Sequence, residues 1–492
     1  MTASATHDRN GSGIGRLRAL AGLLVAAVVL AGCTTLMTAG TTGPNASIIG
    51  GDLNAGPEEH ARIVAAYGGI YRDDALERTV ARIVGRVVAA SDEPDQPYRI
   101  TILNAPAINA FALPGGYLYV TRGLLTLAND SAEVAAVLAH EMAHVTANHA
   151  VERQNKARNA VIVSRVVTDV LDDDTGGRLA LASSQRSLAS FSRQQELEAD
   201  AMGVKTIGRA GYDPFAAARF LTTMARFAAH KVSTGPTMEK APDFLASHPS
   251  TPERVEFATR AARAFGAPGI GDTDRERYLD GLDGAIFGDD PSQGYVRDRT
   301  FIHPSLRVGF SVPDGFVIDN TSDAVLATGA DGTALRFDAV ALVRGADLGQ
   351  YLASGWVNGL DTGSIRRFTV NGMPAASANA SAKGWAFRIA IIQADSGATY
   401  RFIFANEAAT QGLDEAATLT VSSFRQLDQR ELARLKPLRI KVFTARAGDT
   451  QASLAQRMRG VDRPQALLQA LNNLKPGAPI APGSKVKIVT DR

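Results

Sequence analysis

The feature that most constrains the fold of this chain is an HExxH motif at residues 140–144. Asp130 followed by Glu133 forms a capping-box pattern, so we predict that a helix begins there and runs through the motif. On such a helix His140 and His144 lie one turn apart on the same side, where both imidazoles can reach one cation. The fold must therefore bring a third metal ligand to this helix from another segment.

The best source of a third ligand is the segment QQELEADAMG at residues 194–203. In a helix, Glu196 and Asp200 share one face and Glu198 points away. One of the two carboxylates can bind the metal while the other accepts a hydrogen bond from a liganding histidine and fixes its tautomer. His149 lies nine residues after the first histidine of the motif, which on a continuous helix is about 180° around the axis. We expect it to pack or cap near the helix end.

Two histidines and one carboxylate are typical of a catalytic zinc site, in which three protein ligands leave one position for water. Glu141 lies next to the first ligand, and we predict that it is the general base that takes a proton from this water and later delivers it to a leaving amine. The prediction requires one Zn²⁺ per chain. The alternatives are a buried helix with incidental histidines and a structural zinc, but a structural site needs no base at Glu141.

The first 33 residues are typical of an export signal. Ala19–Leu30 is an apolar run that is too short to span a bilayer as a finished helix. It leads into LAGC, which resembles a bacterial lipobox in which Cys33 carries the lipid. The alternative is a signal peptide cut at small residues beside an incidental thiol. Thr34 stands where an Asp usually retains such lipoproteins in the inner membrane, so we expect periplasmic anchoring to the outer membrane of a Gram-negative envelope.

Length and composition favour several folded domains. The 492 residues exceed one ordinary domain, and 45% hydrophobic with 21% charged residues suffices for buried cores. The formal net charge of +2 comes from well-mixed charges, so we expect no nucleic-acid partner. We predict a multidomain α+β chain: signal peptide 1–33, tether 34–50, a mainly helical core with a small sheet at 51–266, connector 267–300, an α+β domain with an antiparallel sheet at 301–430, and a small module at 437–492.

Within these regions, several local predictions are specific enough to check. YRITILN (98–104) and GGYLYVTRGLL (115–125) are strand-like, as are LRVGFSVPDGFVI, ALRFDAVALV, FRIAIIQADSGATYRFIFA and TLTVSSF in the 301–430 region. DLGQYLASGWVNGL is typical of one helix. No run after the signal segment reaches the length of a membrane span.

The chain resembles the zinc metallopeptidases related to the CAAX prenyl protease and HtpX, especially the soluble periplasmic members of Gram-negative bacteria. The resemblance covers about residues 51–265 and is carried by NAFALPGGYLYVTRGLL, AAVLAHEMAHVTANHA, ELEADAMG and AGYDP. It implies a zincin-type core in which Glu196 is the third zinc ligand and Asp200 its neighbouring hydrogen-bond partner. The prenyl-protease membrane helices are absent from the sequence, so misfolded or unassembled envelope proteins are the expected substrates.

Two further segments match this family. NAFALPGG is expected to lie as an edge strand near the zinc, where an extended substrate can pair with its main chain; the alternative is an ordinary core strand. The residues of this predicted substrate strand are Asn109, Ala110, Phe111 and Ala112. In SHPSTPERV, His248 either stabilises an oxyanion or blocks the open zinc position, and Arg254 assists catalysis. The alternative for His248 is an ordinary loop residue.

The C-terminal stretch resembles a divergent LysM domain, with the order strand, helix, helix, strand (βααβ). Such domains bind peptidoglycan glycans, and the alternative is a degenerate packing module. Taken together, the sequence predicts a zinc metalloendopeptidase of periplasmic protein quality control. The competing hypotheses are a chaperone or peptidoglycan-tethered scaffold with little peptidase activity, and a latent protease that requires a partner.

Overall fold

The structure of the protein is a computed structural model. The helix that carries the HExxH motif runs through the centre of the first part of the fold. The structure describes residues 56–152, 192–232, 244–321, 324–407 and 409–491, all of which belong to one unit, Gly51–Arg492. The predicted signal segment with its lipobox, the tether and the apolar run at 159–171 lie outside the described residues.

The first part is mainly helical, as predicted. Its helices are α1 Pro57–Ala66, α2 Asp74–Ala90, α3 Arg122–Leu127, α4 Ser131–Thr146, α5 Arg193–Arg209, α6 Ala216–Val232, α7 Phe244–Ser247, α8 Pro252–Arg263 and α9 Arg275–Leu282. Helix α4 begins where the sequence predicts, because the Asp130 side chain accepts from the Glu133 backbone N–H at 2.8 Å. Residues Ser131–His144 are all buried, so α4 forms the centre of this core.

A small sheet packs against α4. Its strands are β1 Arg99–Leu103, β2 Ala110–Leu113 and β3 Tyr117–Thr121, in the order β1–β3–β2. β1 is parallel and β2 antiparallel to β3. The predicted strand over 115–125 is wrong in its second half. There the Thr121 hydroxyl accepts from the Leu124 N–H at 3.2 Å and caps α3, which ends the strand.

The stretch predicted as a connector contains regular structure that belongs to this core. Helix α9 lies within it and buries Tyr278, Leu279 and Leu282. The Tyr278 hydroxyl donates to the backbone carbonyl of Leu125 at 2.5 Å. The Gly- and Asp-rich composition of 267–300 therefore marks the turns around α9 rather than a free linker.

The second part contains two antiparallel sheets. Its strands are β4 Tyr295–Arg297, β5 Thr300–His303, β6 Val308–Ser311, β7 Val317–Asn320, β8 Val325–Thr328, β9 Ala334–Val340, β10 Leu360–Val370, β11 Met373–Ala382, β12 Trp385–Gln393, β13 Thr399–Asn406 and β14 Arg425–Gln426. Its helices are α10 Leu348–Leu352, α11 Gln411–Ser423 and α12 Gln429–Arg434. The strand orders are β14–β6–β5–β4 and β10–β11–β12–β13–β9–β8–β7.

Helices α10 and α11 cover opposite faces of the seven-stranded sheet. Ala376 of β11 belongs to the apolar cluster of α10, and its neighbour Ala375 belongs to that of α11. The strand predicted at TLTVSSF is wrong, because Thr410 caps α11 and this segment forms its last turns with Thr420 and Val421 buried. The helix predicted for DLGQYLASGWVNGL extends only over α10.

The C-terminal stretch has the predicted order of elements: β15 Arg439–Thr444, α13 Gln451–Ala455, α14 Pro464–Leu471 and β16 Lys485–Thr490. β15 and β16 pair antiparallel. Ile440 and Leu468 belong to the same apolar core cluster as Leu282 of α9, so this module is packed onto the first part. Its LysM identity stays a prediction, as do the domain boundaries; the mixed helix and sheet of the predicted fold class is confirmed.

No helix within the described ranges combines the length and apolarity needed to cross a membrane.

One buried lysine joins the C-terminal module to the core. Lys487 of β16 is fully buried, and its Nζ donates to the carbonyls of Thr126, Leu127 and Ala128 at 2.7–2.9 Å. These carbonyls lie at the end of α3, directly before α4. Carbonyls at the carboxyl end of a helix lack partners within that helix, and the Lys487 side chain supplies donors to them.

We predict that Lys487→Met lowers the free energy of unfolding by about 3 kcal/mol, because it keeps the aliphatic stem but leaves buried carbonyls without a donor. Denaturant unfolding of the purified protein measures this. The control is Lys485→Met, two residues away, whose ammonium pairs with the exposed side chains of Glu276 and Asp280. Its loss should cost under about 1 kcal/mol. Equal stability of both variants would contradict the structural role of Lys487.

Candidate metal centre

Helices α4 and α5 pack closely enough to bring their polar side chains together. Gly203 of α5 lies against the backbone of His140, where an added Cβ would come within 3.2 Å of the His140 nitrogen. Even an alanine at this position would require a shift of a few tenths of an ångström between the helices. Ser192 and Gln195 form a capping box at the start of α5, which fixes where the helix begins relative to its carboxylates.

The three predicted metal ligands converge. His144 Nε2 lies 3.1 Å from His140 Nε2. A carboxylate oxygen of Glu196 lies 3.5 Å from His144 Nε2, and the other lies 3.6 Å from His140 Nε2. Together with His248, these residues offer four ligand atoms that all lie within 4.8 Å of one another, and all four side chains are buried.

Asp200 lies beside the cluster, as the shared face with Glu196 predicts. Its carboxylate is 3.1 Å from His140 Nδ1, on the side of the ring opposite to the cluster. Arg254 of α8 donates to both carboxylate oxygens of Asp200, through Nε at 2.8 Å and Nη2 at 2.7 Å. Asp200 is thus placed to orient the imidazole of His140.

The guanidinium of Arg254 binds the carboxylates of the site. Its Nη1 lies 2.6 Å from Glu196 and 3.1 Å from the carbonyl of Pro249, while Nε and Nη2 bind Asp200. These contacts favour a role in positioning Glu196 and Asp200 over the predicted assistance in catalysis. Spacing along the sequence does not reveal this, because α8 follows α5 only after a long intervening stretch.

His248 follows α7 and points into the cluster. Its Nδ1 lies 2.8 Å from Glu196 and 3.3 Å from His140 Nε2, and its Nε2 lies 3.6 Å from Glu141. The ring of Phe244 stacks on it at 4.5 Å between centroids. His248 is therefore a buried member of the site and not an ordinary loop residue.

Glu141, the predicted general base, is buried beside the ligands. Burial raises the pKa of this carboxyl above its ordinary value. Within the part of the chain that the structure describes, its Oε1 has no hydrogen-bond partner. A buried carboxyl with a raised pKa and an oxygen that makes no hydrogen bond can take up a proton and release it again.

The charges of the cluster suit a bound cation. Burial raises the pKa of Glu196, but hydrogen bonds from His140 and His248 outweigh it and hold this pKa far below its usual value. Burial likewise opposes ionisation of Asp200, but the hydrogen bond from Arg254 lowers its pKa. Two buried carboxylates therefore face one buried guanidinium, which leaves one negative charge for a protonated imidazole or a metal cation to balance.

The pKa values of the two imidazoles also suit a bound metal cation. Burial lowers the pKa of His140, but the carboxylates of Asp200 and Glu196 beside the ring overcome it and raise that pKa to about 9. The site therefore favours a positive charge at this ring, and a divalent cation can replace the proton. Burial lowers the pKa of His144 well below its usual value, which keeps that imidazole neutral as a ligand must be. Three imidazole nitrogens and one carboxylate oxygen form a donor set that zinc accepts.

The predicted substrate strand lies at the edge of the small sheet. Among the described residues, β2 pairs with β3 on one side only. Ala110 is buried against the core, whereas Phe111 and Ala112 are partly exposed. Asn109 precedes the strand and is buried, with its side-chain amide donating to the Tyr67 hydroxyl at 2.9 Å, which favours a structural role for this residue.

His149 packs near the end of the helix, as expected, but on the side of His144 and not on the opposite side. The helix ends at Thr146, and Asn148 has a positive φ of 57°, so the chain turns back instead of continuing around the helix. His149 Nδ1 consequently lies 2.9 Å from His144 Nδ1. The residue in the sequence that could have revealed this turn is Asn148, since asparagine is one of the few residues that commonly takes the left-handed conformation after a helix.

This part of the chain is similar to known proteins. Residues 74–262 match the model of Peptidase family M48. The putative beta-barrel assembly-enhancing protease of Vibrio cholerae is 28% identical over 208 residues, covering 40% of this chain and 41% of that protein. The mitochondrial metalloendopeptidase OMA1 of Schizosaccharomyces pombe is 33% identical over 177 residues, covering 36% and 50%.

The beta-barrel assembly-enhancing protease of Escherichia coli is 26% identical over 254 residues, which cover 50% of each chain. The chain thus spans about half the length of the curated relatives it matches. The resemblance to zinc metallopeptidases inferred from the motifs is confirmed for the matched region.

Proposed function

We propose that this chain is a zinc-dependent endopeptidase. The observation that carries the proposal is the convergence of His140, His144 and Glu196 from two separate helices, with the buried carboxyl of Glu141 beside them. A structural metal site would not need an uncommitted glutamate at that position. The match of this region to a peptidase family supports the same conclusion.

The proposed roles of the residues follow from their contacts. His140, His144 and Glu196 hold the zinc, and Asp200 with Arg254 orients His140 and Glu196. A zinc ion held there supplies a Lewis acid and lowers the pKa of water to about 7. Glu141 takes a proton from the attacking water and later gives it to the leaving amine. The edge of β2 that is unpaired among the described residues binds an extended substrate through main-chain hydrogen bonds, which require little sequence preference.

We propose misfolded or unassembled cell-envelope proteins as substrates. Edge-strand pairing selects extended chains, and unfolded polypeptides present such segments where folded proteins do not. Two of the relatives are named for enhancing beta-barrel assembly, which supports a role in envelope protein quality control. Peptidoglycan stays a candidate partner of the C-terminal module at 437–492, and no nucleic-acid partner is proposed.

Purified protein should cleave unfolded casein, and Glu141→Gln should lower the rate at least about 100-fold, because it removes the general base. Zinc content, measured by mass spectrometry, should be unchanged in this variant. The control is Glu58→Gln, at an exposed glutamate of α1, which should cleave at the wild-type rate. A Glu141→Gln protein that keeps its zinc and cleaves normally would contradict the assigned mechanism.

A scaffold or chaperone is the alternative from another class. It requires that Glu141→Gln retain full function in cells even though cleavage is lost. Complementation of a deletion strain by this variant would therefore favour the scaffold, and failure to complement with normal protein abundance would favour the protease.

We also propose that His248 keeps the enzyme latent. Its Nδ1 lies among the ligand atoms, 2.8 Å from Glu196. Because tetrahedral zinc takes four ligands, a fourth donor from the protein leaves no position for water. Stacking on Phe244 holds the ring in this place, and displacement of His248 would then open the site.

Under this proposal His248→Ala raises basal casein cleavage about tenfold, because the open site no longer requires displacement of the ring. A tenfold change in the population of the open site corresponds to a free-energy difference of about 1.4 kcal/mol. Initial rates at equal zinc loading give the comparison. His303→Ala, in the β5 strand of the second part, is the control and should leave the rate unchanged. If His248→Ala abolishes cleavage, the residue assists the reaction and does not block it.

We propose that a lipid on Cys33 anchors the enzyme to the periplasmic face of the outer membrane. Cells given radioactive palmitate should label the wild-type protein, and Cys33→Ser should abolish the label. The matched control Ser47→Ala, in the predicted tether, should keep it. Labelling that persists in Cys33→Ser would exclude this residue as the anchor.

A further inference from the structure

We infer that His149 and Glu198 position the zinc ligand His144 through a relay of two hydrogen bonds. This inference rests on the proposed zinc site. His144 and His149 face each other through their Nδ1 atoms at 2.9 Å, and His149 Nε2 lies 3.4 Å from a carboxylate oxygen of Glu198. The relay leads from the buried centre to the protein surface.

The local fold places His149 for this task. Helix α4 ends at Thr146, and the left-handed conformation of Asn148 turns the chain back toward the helix. His149 is thereby buried, with only 2% of its surface exposed, although it lies outside the helix. Its ring packs edge-on against that of His144, with centroids 5.0 Å apart and planes at 70°.

The protons of the relay can be assigned in only one way if His144 is a zinc ligand. Its Nε2 faces His140 and Glu196, so the lone pair on Nε2 must point to the metal. The proton of the neutral imidazole then resides on Nδ1 and is donated to His149 Nδ1. His149 must accept with Nδ1, so it carries its own proton on Nε2 and donates that proton to Glu198.

The two histidine ligands are therefore oriented differently. His140 Nδ1 lies against the buried carboxylate of Asp200, which acts directly. His144 has a neutral imidazole as its neighbour, and the carboxylate behind it, Glu198, has 56% of its side chain exposed. Glu198 was expected to point away from the site, and it reaches the site only through His149. Both arrangements have the same effect, since each fixes the tautomer and the ring orientation of a histidine ligand.

Three substitutions at one position test the relay. In His149→Asn the amide oxygen can occupy the place of Nδ1 and still accept from His144. In His149→Gln the longer side chain carries its oxygen near the former Nε2, and His149→Phe keeps a ring without any acceptor. Loss of such a partner typically costs 10- to 100-fold in metal affinity, so zinc should bind about that much more weakly to the Phe and Gln variants. The Asn variant should stay within about threefold of wild type.

Competition with a chromogenic chelator gives the zinc dissociation constants, and the visible spectrum of the cobalt-substituted protein reports the ligand geometry. His303→Phe, far along the sequence in β5, is the matched control and should leave zinc affinity unchanged. Circular dichroism checks folding; if the Phe variant does not fold, the contrast between Asn and Gln decides.

The outcomes separate this inference from the proposed function. A wild-type protein that binds no zinc would overturn the proposed function itself. A wild-type protein that binds zinc, with all three variants equally tight, would overturn only the relay. Equal weakening in all three variants would assign His149 a packing role and would also overturn it.

Discussion

The close packing of α4 against α5 is the interaction on which the rest of the proposed chemistry depends. Gly203 allows the second helix to approach the backbone of His140, and this approach places Glu196 opposite two imidazoles. This packing buries the carboxylates of Glu196 and Asp200, which is unfavourable unless each finds a compensating partner. Arg254 provides one compensation, and a divalent cation would provide the other. Burial makes an uncompensated carboxylate unfavourable, and for the same reason it favours the binding of a metal cation.

The C-terminal module packs against the part of the fold that carries the metal centre. Helix α4 begins directly after the three carbonyls that Lys487 binds, so the C-terminal module supports the base of the motif helix. Side chains of β15, α13, α14 and β16 share one apolar core with the first part. The module therefore contributes to the fold whether or not it also binds a glycan. This arrangement differs from a tethered module that moves independently of the part that carries the candidate metal centre.

Sequence patterns predicted the centre of the site better than its surroundings. The HExxH spacing and the Glu196/Asp200 spacing are helical rules that act within single elements, and the structure brings these residues together as expected. Contacts between distant segments could not be predicted in this way. Arg254 meets Asp200 only through the tertiary packing of α8, and its guanidinium binds carboxylates instead of assisting at the reacting atoms.

Local rules also failed where an element ends or where burial overrides propensity. Continuing the helical rotation beyond Thr146 sent His149 to the wrong side, because a single left-handed residue reversed the chain. The β-branched segment at 418–424 was predicted as a strand, yet capping by Thr410 and burial of every third or fourth residue make it a helix. Strand β11 was missed because its alanines and serines have weak strand propensity; it is held by pairing on both sides.

The central claim is that one zinc ion is held between α4 and α5 by residues of both helices. Anomalous diffraction at the zinc edge, from crystals of the purified zinc-loaded protein, tests it most directly. We expect one peak per chain at about 2.0–2.2 Å from His140 Nε2, His144 Nε2 and a carboxylate oxygen of Glu196. A zinc ion bound elsewhere, with these three side chains too far apart to share a cation, would contradict it.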